Sequence, residues 1–369
     1  MQLNLSRNEL QFAAVEVTNV IHPKLVKPIL GGVLIRAREG KVQFSATDME
    51  SSIQIEWETA IEEEGQVVVD AKTFSEIVSN LNEERIRLEL ELSSLRIAGG
   101  SAHMDLPTMD PESFPPIQLI ETGAVFRFSK DLLKSMIQKV IFAASIDDFM
   151  KNLNGVLWEL NGKYLRLVAA DGFRLALAEE PAFESEPIET PVSFLISLKA
   201  MKEFLSLLRE TEEETIELVY DDRRVGIHLD RIHFTARVLD MDFPDYRKVI
   251  PSSFRTKVEC DREKLLQQLK LANIITRHSG ESVRLEVRQD ALKVLAKTSE
   301  RGAADIEIIV HKDGDDLTAA YNAKFLIDAL QQFKEPQIEL SFVDRVGPLQ
   351  MTDLDPQGYL CIVMPVRID

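Results

Sequence analysis

A weak threefold repeat constrains this 369-residue chain more than any other feature. A repeated unit must fold the same way each time and bury its apolar face against itself or its neighbours. Three stretches read as amphipathic helices after a polar start: Arg7-Asn8-Glu9-Leu10, Lys130-Asp131-Leu132-Leu133 and Arg262-Glu263-Lys264-Leu265. In the second, Leu133, Met136, Ile137, Val140 and Ile141 recur at helical spacing and share one face. Downstream of each start a strand pair is marked by Gly32-Val33-Leu34, Gly155-Val156-Leu157 or Ser282-Val283-Arg284, and Ala46, Ala169 and Ala296 each stand 14 residues after the first member. A second helix follows in each unit: Ala71-Lys72-Thr73-Phe74-Ser75-Glu76-Ile77, Leu198-Lys199-Ala200-Met201-Lys202-Glu203-Phe204 and Ala323-Lys324-Phe325-Leu326-Ile327-Asp328-Ala329. Each unit closes on an acidic-proline turn, at Asp110-Pro111, Asp242-Phe243-Pro244 and Asp355-Pro356. The repeat predicts three similar domains, 1–120, 121–250 and 251–369, each of ordinary domain size.

Between the helices the pattern is β. Val67-Val68-Val69, Ile86–Leu90, Leu165–Val168 and Lys293-Val294-Leu295 fit strands, and Glu39-Gly40, Asn161-Gly162 and Asp313-Gly314 supply residues that tolerate positive φ. Polar–apolar alternation suits antiparallel sheet with one wet face. The class is therefore α+β, with two helices per domain packed on antiparallel sheets. Helices are expected at 6–20, 72–81, 130–144, 198–209, 261–277 and 323–334.

Motifs for chemistry are missing from the sequence. No G-x-x-x-x-G-K-[ST] loop occurs, nor a G-x-G-x-x-G between strand and helix, an H-E-x-x-H or a G-x-S-x-G elbow. His228 and His233 flank a hairpin turn at Asp230-Arg231 and read as surface residues. Glu62-Glu63-Glu64 and Glu212-Glu213-Glu214 read as solvated loops. Asp48 and Asp171 hold matching places after a strand, where turn capping is the simpler role. The two cysteines, Cys260 and Cys361, are too few and too far apart for a disulfide framework or a zinc site. No apolar run approaches the roughly 18–20 residues of a membrane span, and the start lacks a basic-then-apolar secretory pattern, so a cytoplasmic location is expected.

The net charge is −18, with Asp+Glu 61 against Lys+Arg 43, which excludes a protein that grips nucleic acid with its whole surface. The charge is uneven, however. The six expected helices together carry +6, which leaves −24 to the rest of the −18 chain. One face could thus meet phosphates while the outside stays acidic; a solvated helix face rich in lysine gives the same tally. A few lysines on an acidic body bind DNA weakly, because affinity comes from counterion release. Such a protein could stay on DNA if it were closed around the duplex.

Lys27-Pro28-Ile29-Leu30-Gly31, Asn152-Leu153-Asn154-Gly155, Asp171-Gly172-Phe173-Arg174-Leu175-Ala176, Phe243-Pro244-Asp245-Tyr246-Arg247 and the ending Val363-Met364-Pro365-Val366-Arg367 run in order along the whole chain. With them the sequence resembles the bacterial sliding clamps, the beta subunits of DNA polymerase III. The resemblance implies a head-to-tail homodimer of three-domain subunits, a closed six-domain ring with helices lining the hole and sheets outside. It implies a processivity factor that encircles double-stranded DNA without sequence preference, with no catalysis, cofactor, metal or membrane contact. The implied partners are the replicative polymerase alpha subunit, a clamp-loader complex that itself binds the ATP, and other DNA polymerases, ligase and mismatch-repair proteins carrying a clamp-binding peptide. The implied location is cytoplasmic, at the nucleoid.

Carried over residue by residue, the partner-peptide groove between the second and third domains would comprise Leu153, Ala170, Gly172, Phe173, Arg174, Leu175, Pro244, Lys248, Val249, Ile362, Val363, Met364, Pro365, Val366, Arg367 and Ile368. Leu153, Leu175, Val249, Ile362 and Met364 would desolvate inserted side chains, Pro244 and Pro365 would stiffen the rim, and Arg174, Lys248 and Arg367 would attract acidic flanks. Ala170 and Phe173 replace threonine and histidine of many relatives and make that wall more apolar. DNA would be met by Lys24, Lys72, Lys199 and Lys202, with Lys27, Lys151 and Asn152 as neighbours; Lys151 and Asn152 stand where some relatives carry aromatic residues. The dimer joint would take Ile77, Leu81, Met104 and Leu106 from the first domain and Ile274, Ile275 and Glu300 from the third. Core packing is the competing reading for each of its apolar residues.

Overall fold

Helices begin here where a strand ends on a capping side chain. The helices among the described residues are α1 (Arg7–Val20), α2 (Ala71–Asn80), α3 (Lys130–Ile141), α4 (Leu198–Glu210), α5 (Arg262–Thr276) and α6 (Ala323–Leu330). Ser6 caps α1: its Oγ accepts from the Glu9 N–H at 3.3 Å and donates to the Glu9 carboxylate at 2.6 Å, which satisfies one of the helix's otherwise orphaned N–H groups. Asp70, Ser197 and Asn322 stand one residue before the second helix of each repeat. They accept from the N–H groups of Thr73, Ala200 and Lys324 at 2.8, 3.2 and 2.9 Å. The recurring lysines, Lys72, Lys199 and Lys324, are therefore the second residue of each of these helices. α6 is four residues shorter than expected. It stops at Leu330, where the Gln332 side chain donates to the Asp328 carbonyl at 3.3 Å.

The computed structural model describes all residues except 23, 25–26, 121, 148, 162–163, 182–190, 277–281, 300–301, 356–357 and 368–369. Ile368 and Glu300 of the expected sites, Gly162 of the expected turns and Pro356 of the last repeat turn lie outside the described residues.

The described residues pack as two compact units. One joins Met1–Asp131 with Lys202–Val238; the other holds the described residues of 132–201 and 239–369. In the first unit a thirteen-stranded antiparallel sheet starts from Ala124–Ser129 and runs through Thr215–Tyr220, Arg224–Leu229 and Ile232–Arg237. It continues into Ser51–Glu58 and the other strands of the first sequence third. The join is regular, from Ile232 opposite Ile55 to Ala236 opposite Ser51. The second unit holds a nine-stranded and a four-stranded sheet. In the larger one, Arg174–Pro181 pairs with Tyr359–Val363, with Arg174 opposite Val363 and Ala178 opposite Tyr359. The middle third of the sequence thus supplies strands to both units.

The repeat landmarks are core positions. Ala46, Ala169 and Ala296 are buried in corresponding strands. Gly155 has no room for a Cβ, which would collide with the Ile196 carbonyl of the paired strand. The Asp230-Arg231 turn is present, and His228 lies opposite His233 with ring centroids 5.0 Å apart. Two expectations are corrected. Glu62 and Glu63 lie in a short edge strand, Ile61–Glu63, rather than a loop, and pair with Arg87 and the chain's N-terminal amine. Asp313-Gly314 lies in the strand His311–Gly314 rather than in a turn, although Gly314 does take a positive φ, +103°, and a Cβ there would collide with the Arg255 carbonyl.

Candidate docking groove

The groove is built around a turn that its sequence dictates. The strand Tyr164–Ala170 ends at Asp171, whose Oδ1 accepts from the N–H groups of Phe173 and Arg174, both at 2.9 Å. Gly172 takes φ +88°, a conformation that favours glycine. The turn presents the Phe173 carbonyl, which accepts from the Met364 N–H at 2.8 Å; two residues on, the Val366 N–H donates to the Ala320 carbonyl at 2.7 Å. The C-terminal segment is thereby pinned on both sides. In the strand Tyr359–Val363, successive side chains point to opposite faces. Ile362 faces the cleft, while Val363 is turned away and only 1% exposed.

The result is a cleft of about 260 Å³ lined by Leu153, Ala170, Gly172, Arg174, Leu175, Phe243, Pro244, Asp245, Tyr246, Val249, Ile362 and Met364. Leu175, Tyr246 and Ile362 form its buried floor, packed with Val168 and Leu177, and Val249 and Met364 stay partly exposed at the mouth. Phe173, Lys248, Val363, Pro365, Val366 and Arg367 do not line it. Phe173 is exposed outside the cleft and Lys248 pairs with Asp245 at 3.3 Å.

Arg174 differs from its expected role. Its guanidinium reaches Asp171 at 3.0 Å and Asp328 of α6 at 2.8 Å, and lies over the rings of Phe142 and Phe325. Paired twice and mostly buried, it braces the turn instead of attracting acidic ligands.

Three lining residues escaped the sequence reading: Phe243, Asp245 and Tyr246. The Phe-Pro-Asp-Tyr-Arg run was visible, but nothing in it shows that the Tyr246 ring turns inward. Beneath the cleft, the Tyr246 hydroxyl donates to Glu159 at 2.6 Å and accepts from Arg166 at 2.9 Å, and Arg247 donates to Glu159 at 2.6 Å. Burial, then the hydrogen bond to Glu159, pushes the Tyr246 hydroxyl up to about 12. Burial alone would raise the Glu159 carboxyl, but the Tyr246 and Arg247 hydrogen bonds outweigh it and hold it below 4.5. The phenol is thus a fixed donor and the carboxylate a fixed acceptor at neutral pH.

Of the expected DNA contacts, Lys24, Lys27, Lys72, Lys151 and Lys202 are exposed, and Asn152 and Lys199 half-buried. Lys24 and Lys27 line one cleft of the first unit. Lys199 and Lys202 lie three apart on α4, on one helical face. Of the joint residues, Leu81 and Leu106 are buried within the chain, Ile77 and Ile275 half-buried, and Met104 and Ile274 about half exposed. Asp48 and Asp171 both cap turns. Among the described residues no group of three His, Cys, Asp or Glu could hold a metal ion, and no helix is long and apolar enough to cross a membrane.

Repeated antiparallel domains carrying a shallow apolar groove with a braced rim define a docking scaffold. Comparison with known proteins gives that scaffold a family. Models of the N-terminal, central and C-terminal domains of the DNA polymerase III beta subunit match residues 1–118, 127–245 and 247–367. The chain belongs to this family, the sliding clamps, which are non-catalytic processivity factors of the replicative polymerase. It is 26% identical to the beta sliding clamp of Haemophilus influenzae, over the full length of both chains. It superposes on the DNA polymerase III beta subunit of Thermotoga maritima with a TM-score of 0.93, 40% identity and full coverage of both chains. A Pseudomonas aeruginosa sliding clamp crystallised with griselimycin bound matches over both full lengths with a TM-score of 0.91 at 25% identity.

Proposed function

We propose that two copies of this chain close head to tail into a six-domain ring around duplex DNA, with domain boundaries near residues 120 and 250. Partners dock in the cleft described above. The observation that carries this reading is the cleft itself: an apolar floor of Leu175, Tyr246 and Ile362 with an adaptable Met364 at its mouth suits a short peptide ending in leucine or phenylalanine side chains and carrying a glutamine. Each anchored side chain contributes roughly 1.5–3 kcal/mol, so a two-anchor peptide binds modestly and exchanges, as successive partners require. Those partners are the polymerase alpha subunit, the clamp loader, other polymerases, ligase and mismatch-repair proteins, acting in the cytoplasm at the nucleoid.

Two open sheet edges support closure. Among the described residues, Gly302–Ile309 pairs on one side only, and Ala102–Met109 pairs on its second side only near Thr108 and Met109. Open edges recruit further strands, and Met104, Ile274 and Ile309 stand exposed beside them. Lys24, Lys27, Lys72, Lys151, Asn152, Lys199 and Lys202 would meet phosphates in the bore. Contacts to phosphate alone carry no sequence information and permit sliding.

Loading the protein with its clamp loader on nicked circular DNA and then linearising the circle tests the ring. Release through the free ends is expected; full retention on unblocked linear DNA would overturn it. Deleting residues 364–369 should abolish binding of a polymerase-derived peptide while the dimer survives; unchanged affinity would refute the groove. Ile274→Asp should yield monomers in sedimentation.

A further inference from the structure

The turn that builds the docking groove exists in a second version without an arginine. Counted from Gly32 and Gly155, the first-repeat residues Asp48, Met49 and Ser51 correspond to Asp171, Gly172 and Arg174. Asp48 Oδ1 accepts from the N–H groups of Glu50 and Ser51 at 2.9 and 2.7 Å, as Asp171 Oδ1 does from those of Phe173 and Arg174. Met49 and Gly172 share a positive φ, +78° and +88°. The turn therefore closes without a guanidinium. What Arg174 adds is a tie to a distant helix and a cation in the wall of a cleft.

How that cation is held decides what it can do. Arg174 and Asp328 belong to the same compact unit. Arg174 Nε donates to Asp171 at 3.0 Å, and Nη1 donates to Asp328 of α6 at 2.8 Å. Asp171 sits on the same turn as Arg174, so it cannot fix the arginine to its surroundings. Asp328 is the carboxylate that does. Phe325, on the same helix, adds its ring 4.5 Å from the guanidinium. Asp328 is itself held by Lys324 at 2.8 Å. Arg174 and Lys324 thus balance Asp171 and Asp328 charge for charge. Asp245, the other charged residue that lines the cleft, pairs with Lys248 at 3.3 Å. The lining residues therefore offer a ligand apolar surface and no uncompensated charge. Without the Asp328 carboxylate, Nη1 would lose its acceptor on a guanidinium only 12% exposed, and a poorly hydrated donor left without an acceptor is costly. A ligand carboxylate in the cleft could then take that place.

We propose that Asp328 is a positioning residue that sets the selectivity of the groove. It holds Arg174 against α6, out of reach of ligand carboxylates, so the groove takes an uncharged peptide and gains nothing from an acidic residue beside the anchor. This rests on the groove's being the peptide site.

The test is fluorescence anisotropy on the full-length protein with two labelled peptides. Both carry a glutamine and a terminal leucine–phenylalanine pair, and they differ only in an aspartate or an asparagine before the leucine. The wild type should bind the two within about twofold, whereas Asp328→Asn should favour the aspartate peptide by about fivefold, the value of one partly screened charge-assisted hydrogen bond. Adding Arg174→Gln to Asp328→Asn should remove that preference, while adding Lys324→Gln should keep most of it. Asp328→Glu, which retains the charge, should keep the wild-type ratio. The proposal is overturned if Asp328→Asn weakens both peptides alike, as a merely structural aspartate would. It is also overturned if Asp328→Asn and Asp328→Glu give the same ratio, or if the preference survives Arg174→Gln. Failure of the groove itself looks different: neither peptide would bind the wild type, or binding would survive deletion of residues 364–369, and the proposal would fall with it.

Discussion

The first and second repeats each end a strand on an aspartate-capped turn beside a Phe-Pro segment, yet the two clefts they make differ in kind. In the second repeat the turn residue is Gly172, Arg174 is braced between Asp171 and Asp328, and a buried tyrosine floors the cleft. In the first repeat Met49 stands at the glycine position, Ser51 replaces the arginine, and the residue corresponding to Tyr246 is the half-buried Ile117 packed beside Leu34, Val68 and Phe114. The backbone is duplicated, but the support beneath the cleft is not. One repeat has a rigid apolar slot held by a charged network, the other a wider cleft lined by Lys24 and Lys27 as well as Asp48 and Glu50. Shared topology thus supplies the concavity, and a few side chains decide its lining.

This contrast can be broken or sharpened by substitution. The largest effect is expected for Tyr246→Ala, which removes a buried ring and strips Glu159 of a donor, at a cost of about 3–5 kcal/mol. The matching Ile117→Ala should cost only about 1 kcal/mol, with urea denaturation as the measure. Equal losses would mean the two floors are supported alike. Next, Leu153→Ala should weaken a polymerase-derived peptide by about 1–2 kcal/mol, roughly 5–30-fold, in calorimetry. Leu30→Ala should leave that peptide unaffected. A Leu30→Ala variant that weakened it would place the peptide in the first cleft.

The pH response should be smaller. Because the folded Glu159 carboxyl lies below 4.5, its contribution to stability is complete above that pH and lost as pH falls through the folded value. Glu159→Gln should remove this acid-limb decline; an unchanged acid limb would assign the effect elsewhere. The smallest change is expected from exchanging the turn residues. Gly172→Met should destabilise by about 1 kcal/mol and Met49→Gly stabilise by about half that. Equal melting temperatures would show that the positive φ at these positions costs nothing.

Much of this was legible in the chain. Helix starts could be read because capping and amphipathic spacing are local, and Asp48 and Asp171 could be assigned to turns because the residues they cap follow immediately. That Leu153, Leu175, Pro244, Ile362 and Met364 share one cleft was reachable through family resemblance. The part that stayed hidden depends on partners distant in sequence. Arg174 looked like a free cation because Asp328 is 154 residues away. Tyr246 was not assigned to the groove, because the carboxylate that fixes its hydroxyl lies 87 residues earlier. Val363 could not be separated from Ile362 until the pairing with Arg174–Pro181 fixed the face each presents.

By itself the sequence determined the repeat, the helices, the turns and the uneven charge, since each rests on residues within a few positions of one another. Only the tertiary structure decided that the middle third would divide its strands between two units. It alone turned one Asp-capped turn into a braced slot and left its counterpart open, because ion pairs, buried rings and strand faces are set by which distant segments meet.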